Sequence, residues 1–173
     1  MREFRPALAG DVAAIHALVE RAYRGDTARQ GWTHEADLLG GQRTDAIALG
    51  QLISDPSHRL ILLDEAATLI GCVDVQTARD GSAYLGLLAV DPARQAEGLG
   101  RLLIKAAEVC ARDQFGATQI EMTVIAQRPE LIAYYERRGY RRTGEQRPFP
   151  LDDPRFGLPT TRDLVFEVLA KVL

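Results

Sequence analysis

The sequence predicts a mixed α/β fold: a mostly antiparallel central sheet with one parallel strand pair, flanked by helices on both faces. Three observations carry this. Three strand-like segments follow one another directly at 58–65, 67–78 and 82–92, with only short turns between them. A strand, a long amphipathic helix and a second strand then run in succession over 82–125. Helix-like segments stand both before and after these runs.

Taken in order, "REFRPA" (2–7) alternates and meets Pro6, a short first strand. Val12, Ile15, Leu18, Val19 and Ala22 recur in steps of three and four, predicting a helix over 10–23 with Asp11 suited to its positive end. The segment 24–45 is polar and glycine-containing and holds the single Trp. Within it, Thr33 reads as an N-cap with Glu35 in the first turn behind it, Leu38 and Leu39 follow, and Gly40–Gly41 would stop a short helix. Thr44 reads as a second N-cap, opening a helix through about Ile53.

The three central segments, rich in Leu, Ile and Val, predict an antiparallel meander that Pro92 ends. Leu99, Leu102, Leu103, Ala106, Ala107 and Cys110 form one stripe, predicting a helix over 98–115 that Gly116 terminates. "TQIEMTVI" (118–125) alternates as a strand, and a right-handed crossover makes it the parallel neighbour of 82–90. Pro129 at N1 and Gly139 at C′ bound another helix, and "YRRTGE" leaves it as a strand. Four prolines mark 146–160 as a loop, and 163–173 is a closing strand.

With 173 residues, 46% of them apolar, the chain suits one domain over 2–172 with a sizeable core. Its 21 basic and 24 acidic side chains leave a net charge of −3, a poor basis for sequence-independent nucleic-acid binding. Cys72 and Cys110 lie in apolar contexts without metal-ligand spacing, which predicts reduced core cysteines and no metal site. "MREFRPALAG" lacks the apolar region of a signal peptide, and no apolar run reaches the roughly 18 residues of a membrane span. The expectation is a soluble cytoplasmic protein without membrane or nucleic-acid partners.

The stretch "DPARQAEGLGRLL" (91–103) is a glycine-containing entry to a helix, a geometry that suits phosphate groups. It lacks the Lys and Ser/Thr of a Walker A loop and the third glycine of a dinucleotide fingerprint. "LLAVDPARQAEGLGRLLIKAAE" instead resembles the core motif of the GCN5-related N-acetyltransferase superfamily, with Gln95-Ala96-Glu97-Gly98-Leu99-Gly100 matching the family's [Q/R]xxGx[G/A] hexad. A second family motif is matched by Tyr135-Glu136-Arg137-Arg138-Gly139-Tyr140. The two motifs are joined by one helix and one strand, and the resemblance extends over roughly 2–172. One departure stands out: Arg128 occupies a position where the family often has Asn.

The resemblance implies an acyltransferase that moves an acetyl group from acetyl-coenzyme A to a primary amine of a small molecule or peptide in a ternary complex, with no metal. It implies that 85–90 splays from 118–125, that the backbone of Leu88, Ala89 and Val90 pairs with the pantetheine arm, and that N–H groups of Gln95, Ala96, Glu97, Gly98, Leu99, Gly100 and Arg101 hold the pyrophosphate. Arg94, Arg101 and the arginine-rich 137–142 are candidates for added positive charge, a solvated surface being their alternative. Tyr135 is the implied general acid, with Tyr134 packing beside it. Glu121 is the expected general base and Asp74 its rival; His16 and His34 read as exposed. The acceptor pocket is expected from 24–45 and 146–160, with Trp32, Glu35, Asp37, Phe149 and Phe156 as candidates and Asp74 also counted on the acceptor side. Carboxylates there would suit a cationic amine, while packing is the competing role for the aromatics. The competing function is a non-catalytic acyl-coenzyme-A-binding regulatory domain. Homodimers are common in the family, but no segment marks an interface.

Overall fold

The computed structural model describes all residues from Met1 to Leu173. In chain order its elements are β1 (Arg2–Pro6), α1 (Val12–Tyr23), a one-turn α2 (Gly25–Ala28), β2 (Leu39–Gly40), α3 (Ala46–Ser54), β3 (His58–Glu65), β4 (Thr68–Thr77), β5 (Ser82–Val90), α4 (Leu99–Phe115), β6 (Gln119–Ile125), α5 (Pro129–Glu136), β7 (Arg141–Pro148), β8 (Leu158–Pro159) and β9 (Val165–Val172). Seven strands form one sheet in the order β1-β3-β4-β5-β6-β9-β7, and β2 pairs with β8 as a separate ribbon. Every neighbouring pair in the large sheet is antiparallel except β5–β6. The mixed sheet predicted from the strand pattern is therefore the observed one.

The helices divide two cores between them. One core packs Leu99, Leu103, Ala107 and Cys110 of α4 against Val73, Val75, Leu85 and Ile120 of the sheet. The other packs Ile15, Leu18 and Val19 of α1 and Leu49 of α3 against Leu60, Leu62 and Cys72. Helix α4 comes close because Gly71 carries no side chain: a Cβ there would lie 2.7 Å from Leu103 Cδ1. The buried face of α4 is turned slightly from the predicted stripe. Leu102 is exposed, whereas Ile104 and Glu108 are buried. Glu108 is neutralised there by Lys171 at 2.8 Å and accepts from the Tyr140 hydroxyl at 3.2 Å.

Several local readings change. Residues 33–41 form a single helical turn, with Leu38 and Leu39 N–H both on the Glu35 carbonyl, and then the strand β2. The turn does not propagate because Leu39 and Gly40 pair with Pro159 and Leu158 instead. The cap of α3 is Asp45, whose carboxylate accepts from Ala48 N–H, one residue beyond Thr44. β7 runs on to Pro148, into the predicted loop, because it is an edge strand whose only partner is β9. A proline at the end of an edge strand leaves no ladder bond unmade. Cys72 and Cys110 are both free and buried, and burial pushes the Cys72 thiol up to about 12, so neither suits nucleophilic chemistry.

Leu103 is fully buried at the α4–sheet contact. Leu103→Ala is expected to cost about 2–5 kcal/mol of stability through lost burial and a residual cavity, read from urea denaturation.

Candidate active site

Strands β5 and β6 are paired only at Ser82–Gln119, Ala83–Ile120 and Tyr84–Glu121. Beyond Tyr84 they part. The cause lies on the other side of β5, where the register with β4 shifts between Asp74–Gly86 and Cys72–Ala89. Two residues, Leu87 and Leu88, oppose the single Val73, and Leu87 takes a positive φ of 47°. Such a bulge bends its strand and adds twist, which turns β5 away from β6. Leu87 and Leu88 then have no register partner on either side. The Leu88 carbonyl is taken instead by the Tyr23 hydroxyl at the end of α1. Just past the last pair, the Tyr84 and Thr123 hydroxyls bridge the opening at 2.6 Å.

One mouth of the split is a cavity of about 220 Å³. Its lining includes Leu88, Ala89 and Val90 from β5, Gln95, Ala96, Gly98, Leu99 and Gly100 from the loop into α4, and Tyr134 and Tyr135 from α5. Ala96 and Gly98 have positive φ angles of 70° and 79°, and Gly98 caps the seventeen-residue α4. Alternating left-handed residues at a helix start gather backbone N–H groups into an anion-binding concavity, reinforced by the helix dipole. The approach is narrow: a Cβ on Gly100 would lie 2.6 Å from the Tyr134 hydroxyl. No carboxylate lines this cavity, whereas Arg128 and Arg138 do. Backbone donors, an unpaired strand edge and the Arg138 guanidinium together fit a pyrophosphate attached to an extended arm, so the residues present suit acetyl-coenzyme A.

On the far side a second cavity of about 110 Å³ lies between the parted strands, lined by Tyr84, Leu87, Met122, Thr123, Glu35 and Arg43 among others. Tyr23, Leu88, Arg128, Leu131 and Tyr135 line both cavities. Tyr135 is buried between Tyr134 and Tyr140 at ring distances of 5.5 and 6.0 Å. Its hydroxyl makes no hydrogen bond to another side chain, and burial raises its pKa well above the ordinary phenol value. Tyr23 is shifted the same way, to about 12.

The wall of the second cavity is an ion cluster built from four separated segments. The Glu35 carboxylate accepts from Arg24 at the end of α1 and from Arg128 at 3.4 Å, with Arg43 at 3.8 Å. Arg128 also donates to Thr33 Oγ1 at 2.7 Å. Arg24 reaches the Phe156 carbonyl at 3.4 Å, tying in the 146–160 segment, and a Cβ at Gly157 would lie 2.9 Å from its guanidinium. Glu35, Arg24 and Arg128 are each only 6% exposed.

A family model for the acetyltransferase (GNAT) domain matches residues 35–149. The chain belongs to the GNAT acetyltransferase family. It is 32% identical over 146 residues to the mycothiol acetyltransferase of Salinispora tropica, a match covering 82% of this chain and 44% of that protein. The chain thus spans less than half the length of this curated relative. Among solved structures it is similar to a spermidine N-acetyltransferase chimera from Vibrio cholerae and hSSAT, with a TM-score of 0.72 and 20% identity over 99% of this chain and 95% of that one. It is also similar to the ribosomal-protein-S18-alanine N-acetyltransferase of Escherichia coli, with a TM-score of 0.72 and 18% identity over 99% and 94% of the two chains. At such identities these two likenesses speak to the fold, which is the one the sequence resemblance implied.

Within this GNAT domain the expected cofactor residues converge with two exceptions. The Glu97 side chain is held at the surface by Arg94 at 2.6 Å and Arg2 at 2.8 Å, and neither it nor Arg101 lines the cavity. Arg94 is spent on Glu97 and Glu65 and adds no free charge. Glu121 is paired with Arg147 at 3.1 Å and lines neither cavity. Asp74 sits against His58 Nδ1 at 2.7 Å, away from both cavities, with its pKa raised by burial against the opposing pull of His58. Phe149 is not an acceptor contact but a packing residue, buried with Leu39, Ile125 and Leu164 and 5.2 Å from the Phe166 ring. Asp37 pairs with Arg29 at the surface, and Phe156 is exposed. Trp32 lies over the first cavity, 5.2 Å from the Tyr134 ring, and its backbone N–H donates to Gln95 Oε1 at 3.0 Å. Glu35 does line the acceptor side, but its charge is consumed by arginines rather than offered to a cationic amine.

Sequence reasoning missed Tyr23, Arg24 and Arg43, whose roles depend on partners far along the chain. It also read His34 as exposed, whereas His34 lines the first cavity and its buried Nδ1 has no partner. Arg128 was marked only by its departure from the family motif.

Removing the Glu35 charge would strand the buried guanidinium groups of Arg24 and Arg128. Glu35→Gln is expected to destabilise the domain by about 3–5 kcal/mol, the scale for breaking a buried pair from one side, measured by thermal or chemical unfolding.

Proposed function

We propose that this chain transfers an acetyl group from acetyl-coenzyme A to a primary amine by direct attack with both substrates bound. The observation that carries the reading is the position of Tyr135: its hydroxyl has no side-chain partner, and the residue lines both the cofactor cavity and the opening between β5 and β6. A module that only bound acyl-coenzyme A would have no use for a proton held at that junction.

Acetyl-coenzyme A brings an activated thioester, and the chain's residues do the rest. The Ala96–Gly100 backbone receives the pyrophosphate, and the unpaired edge of β5 receives the extended arm. Leu88 N–H, freed from strand pairing by the bulge, is the donor proposed for the thioester oxygen as negative charge develops there. Tyr135 holds the proton at its Oη for the departing sulfur. The incoming ammonium must lose a proton before it attacks. His34 is the only imidazole lining either cavity, and no carboxylate lines the first. Glu121, the base expected from the sequence, and His34 of the first cavity are the two candidates for that role.

Calorimetric titration is expected to give micromolar binding of acetyl-coenzyme A and none of ATP or NAD. Tyr135→Phe should leave that affinity unchanged while lowering kcat about a hundredfold, the scale of a lost general acid. Acetyl-coenzyme A binding with full activity in Tyr135→Phe would remove the acid role. His34→Gln and Glu121→Gln, compared at one pH, separate the two candidates: loss of the base lowers kcat/KM, and loss of the other leaves it unchanged.

A further inference from the structure

We propose that the acceptor is an amine carrying its own anionic group, a carboxylate or phosphate, held by Arg128 and Arg43 at the far end of the split between β5 and β6. This rests on the acetyltransferase reading above and narrows it to a substrate class. The starting observation is a surplus of guanidinium. Three arginines surround the Glu35 carboxylate, and both of its oxygens are taken. At 3.4 and 3.8 Å, Arg128 and Arg43 are its distant partners. Arg128 is 6% exposed, lines both cavities, and has a buried Nε with no hydrogen-bond partner. The Arg24 Nε is orphaned in the same way.

A buried cation without a matching anion is costly, and an unmade guanidinium hydrogen bond adds to the cost. Other acidic groups nearby do not remove the surplus from the cavity. Glu130 stands 3.7 Å from the Arg128 Nε but its side chain is 47% exposed. Glu20 Oε1 accepts from the backbone N–H groups of Arg43 and Thr44 at 2.7 and 3.0 Å. Neither lines either cavity; the charged side chains that do are Glu35, Arg43, Arg128 and Arg138. A ligand carboxylate or phosphate placed against the guanidinium of Arg128 supplies the missing charge, in the planar geometry a guanidinium favours.

The position fits one small molecule. Arg128 lines the same two cavities as Leu88 and Tyr135, so an amine presented to the thioester and an anion on Arg128 lie within a single acceptor. The same surplus repels a polycation. The structure therefore points away from polyamines, although one of the similar folds is a spermidine N-acetyltransferase chimera.

The test is a turnover panel on the full chain with acetyl-coenzyme A: the twenty amino acids against their amides, O-phosphoethanolamine against ethanolamine, and spermidine. The expected result is a kcat/KM about tenfold or more higher for the anionic member of at least one pair. Which pair responds separates a carboxylate from a phosphate. Arg43→Gln, a change at a partly exposed side chain, should erase that preference without altering acetyl-coenzyme A affinity. Arg128→Lys should raise KM for the anionic acceptor more than it lowers kcat. Equal or better turnover of the amides, ethanolamine or spermidine would overturn the proposal and leave the acetyltransferase reading intact. If nothing in the panel is acetylated, N-acetylated amino acids and N-acetyl-phosphoethanolamine are titrated against their uncharged counterparts with coenzyme A bound. Tighter binding of the anionic form that Arg43→Gln abolishes supports the proposal; equal or absent binding overturns it. Failure of acetyl-coenzyme A to bind at all would remove the acetyltransferase reading, and this proposal with it.

Discussion

The bulge in β5 is the constraint on which the site depends. Two residues facing one on β4, with Leu87 at positive φ, turn the strand out of line and end its pairing with β6 after three residues. A continuous sheet would have consumed every backbone group of 85–90 and filled the space now shared by the two cavities. Instead the strand keeps an open edge, the loop into α4 sits at one mouth of the gap, and Tyr135 closes its middle. Two side-chain contacts hold the opening. Tyr23 caps the exposed Leu88 carbonyl, and the Tyr84–Thr123 hydroxyl pair fixes where the opening begins.

The two mouths of that gap are built from different materials. The cofactor side is mostly backbone: N–H groups gathered by Ala96 and Gly98 at the start of a long helix, with small residues where the chain must come close. The acceptor side is mostly side chain: Arg24, Arg43 and Arg128 gathered around Glu35, each from a different segment. A backbone concavity recognises an invariant group and tolerates sequence change around it. A side-chain cluster can be rewritten one residue at a time.

The same division explains what could be read from the sequence. The strand meander, α4 and its glycine stop, and the parallel pairing of β5 with β6 follow from periodicity and punctuation within short windows. The 95–100 hexad was legible because a glycine-containing loop entering a helix is local in the chain. The acceptor wall was not. Glu35 reads locally as a first-turn acid behind a Thr cap, and only its partners 11 and 93 positions away make it the centre of a buried cluster. Phe149 and Asp74 were drawn toward the site by residue type, yet packing with Phe166 and pairing with His58 decide their roles. Thr44 and Asp45 are adjacent residues of equal capping ability, so the start of α3 could be placed only to within one position.

The order of strands has a consequence for how the domain comes into being. β6 has three paired positions on β5 but seven on β9, which lies at 165–172. A nascent chain that has emerged as far as α5 therefore holds β6 by a short parallel contact alone, with an apolar strand edge open. Half of the catalytic gap gains a rigid wall only when β9 slots between β6 and β7. Loop-closure entropy must be spent over some forty intervening residues before that edge is covered. β9 is thus the strand that converts a partial sheet into a site, and the interval before it arrives is when the domain is most exposed to edge-to-edge association.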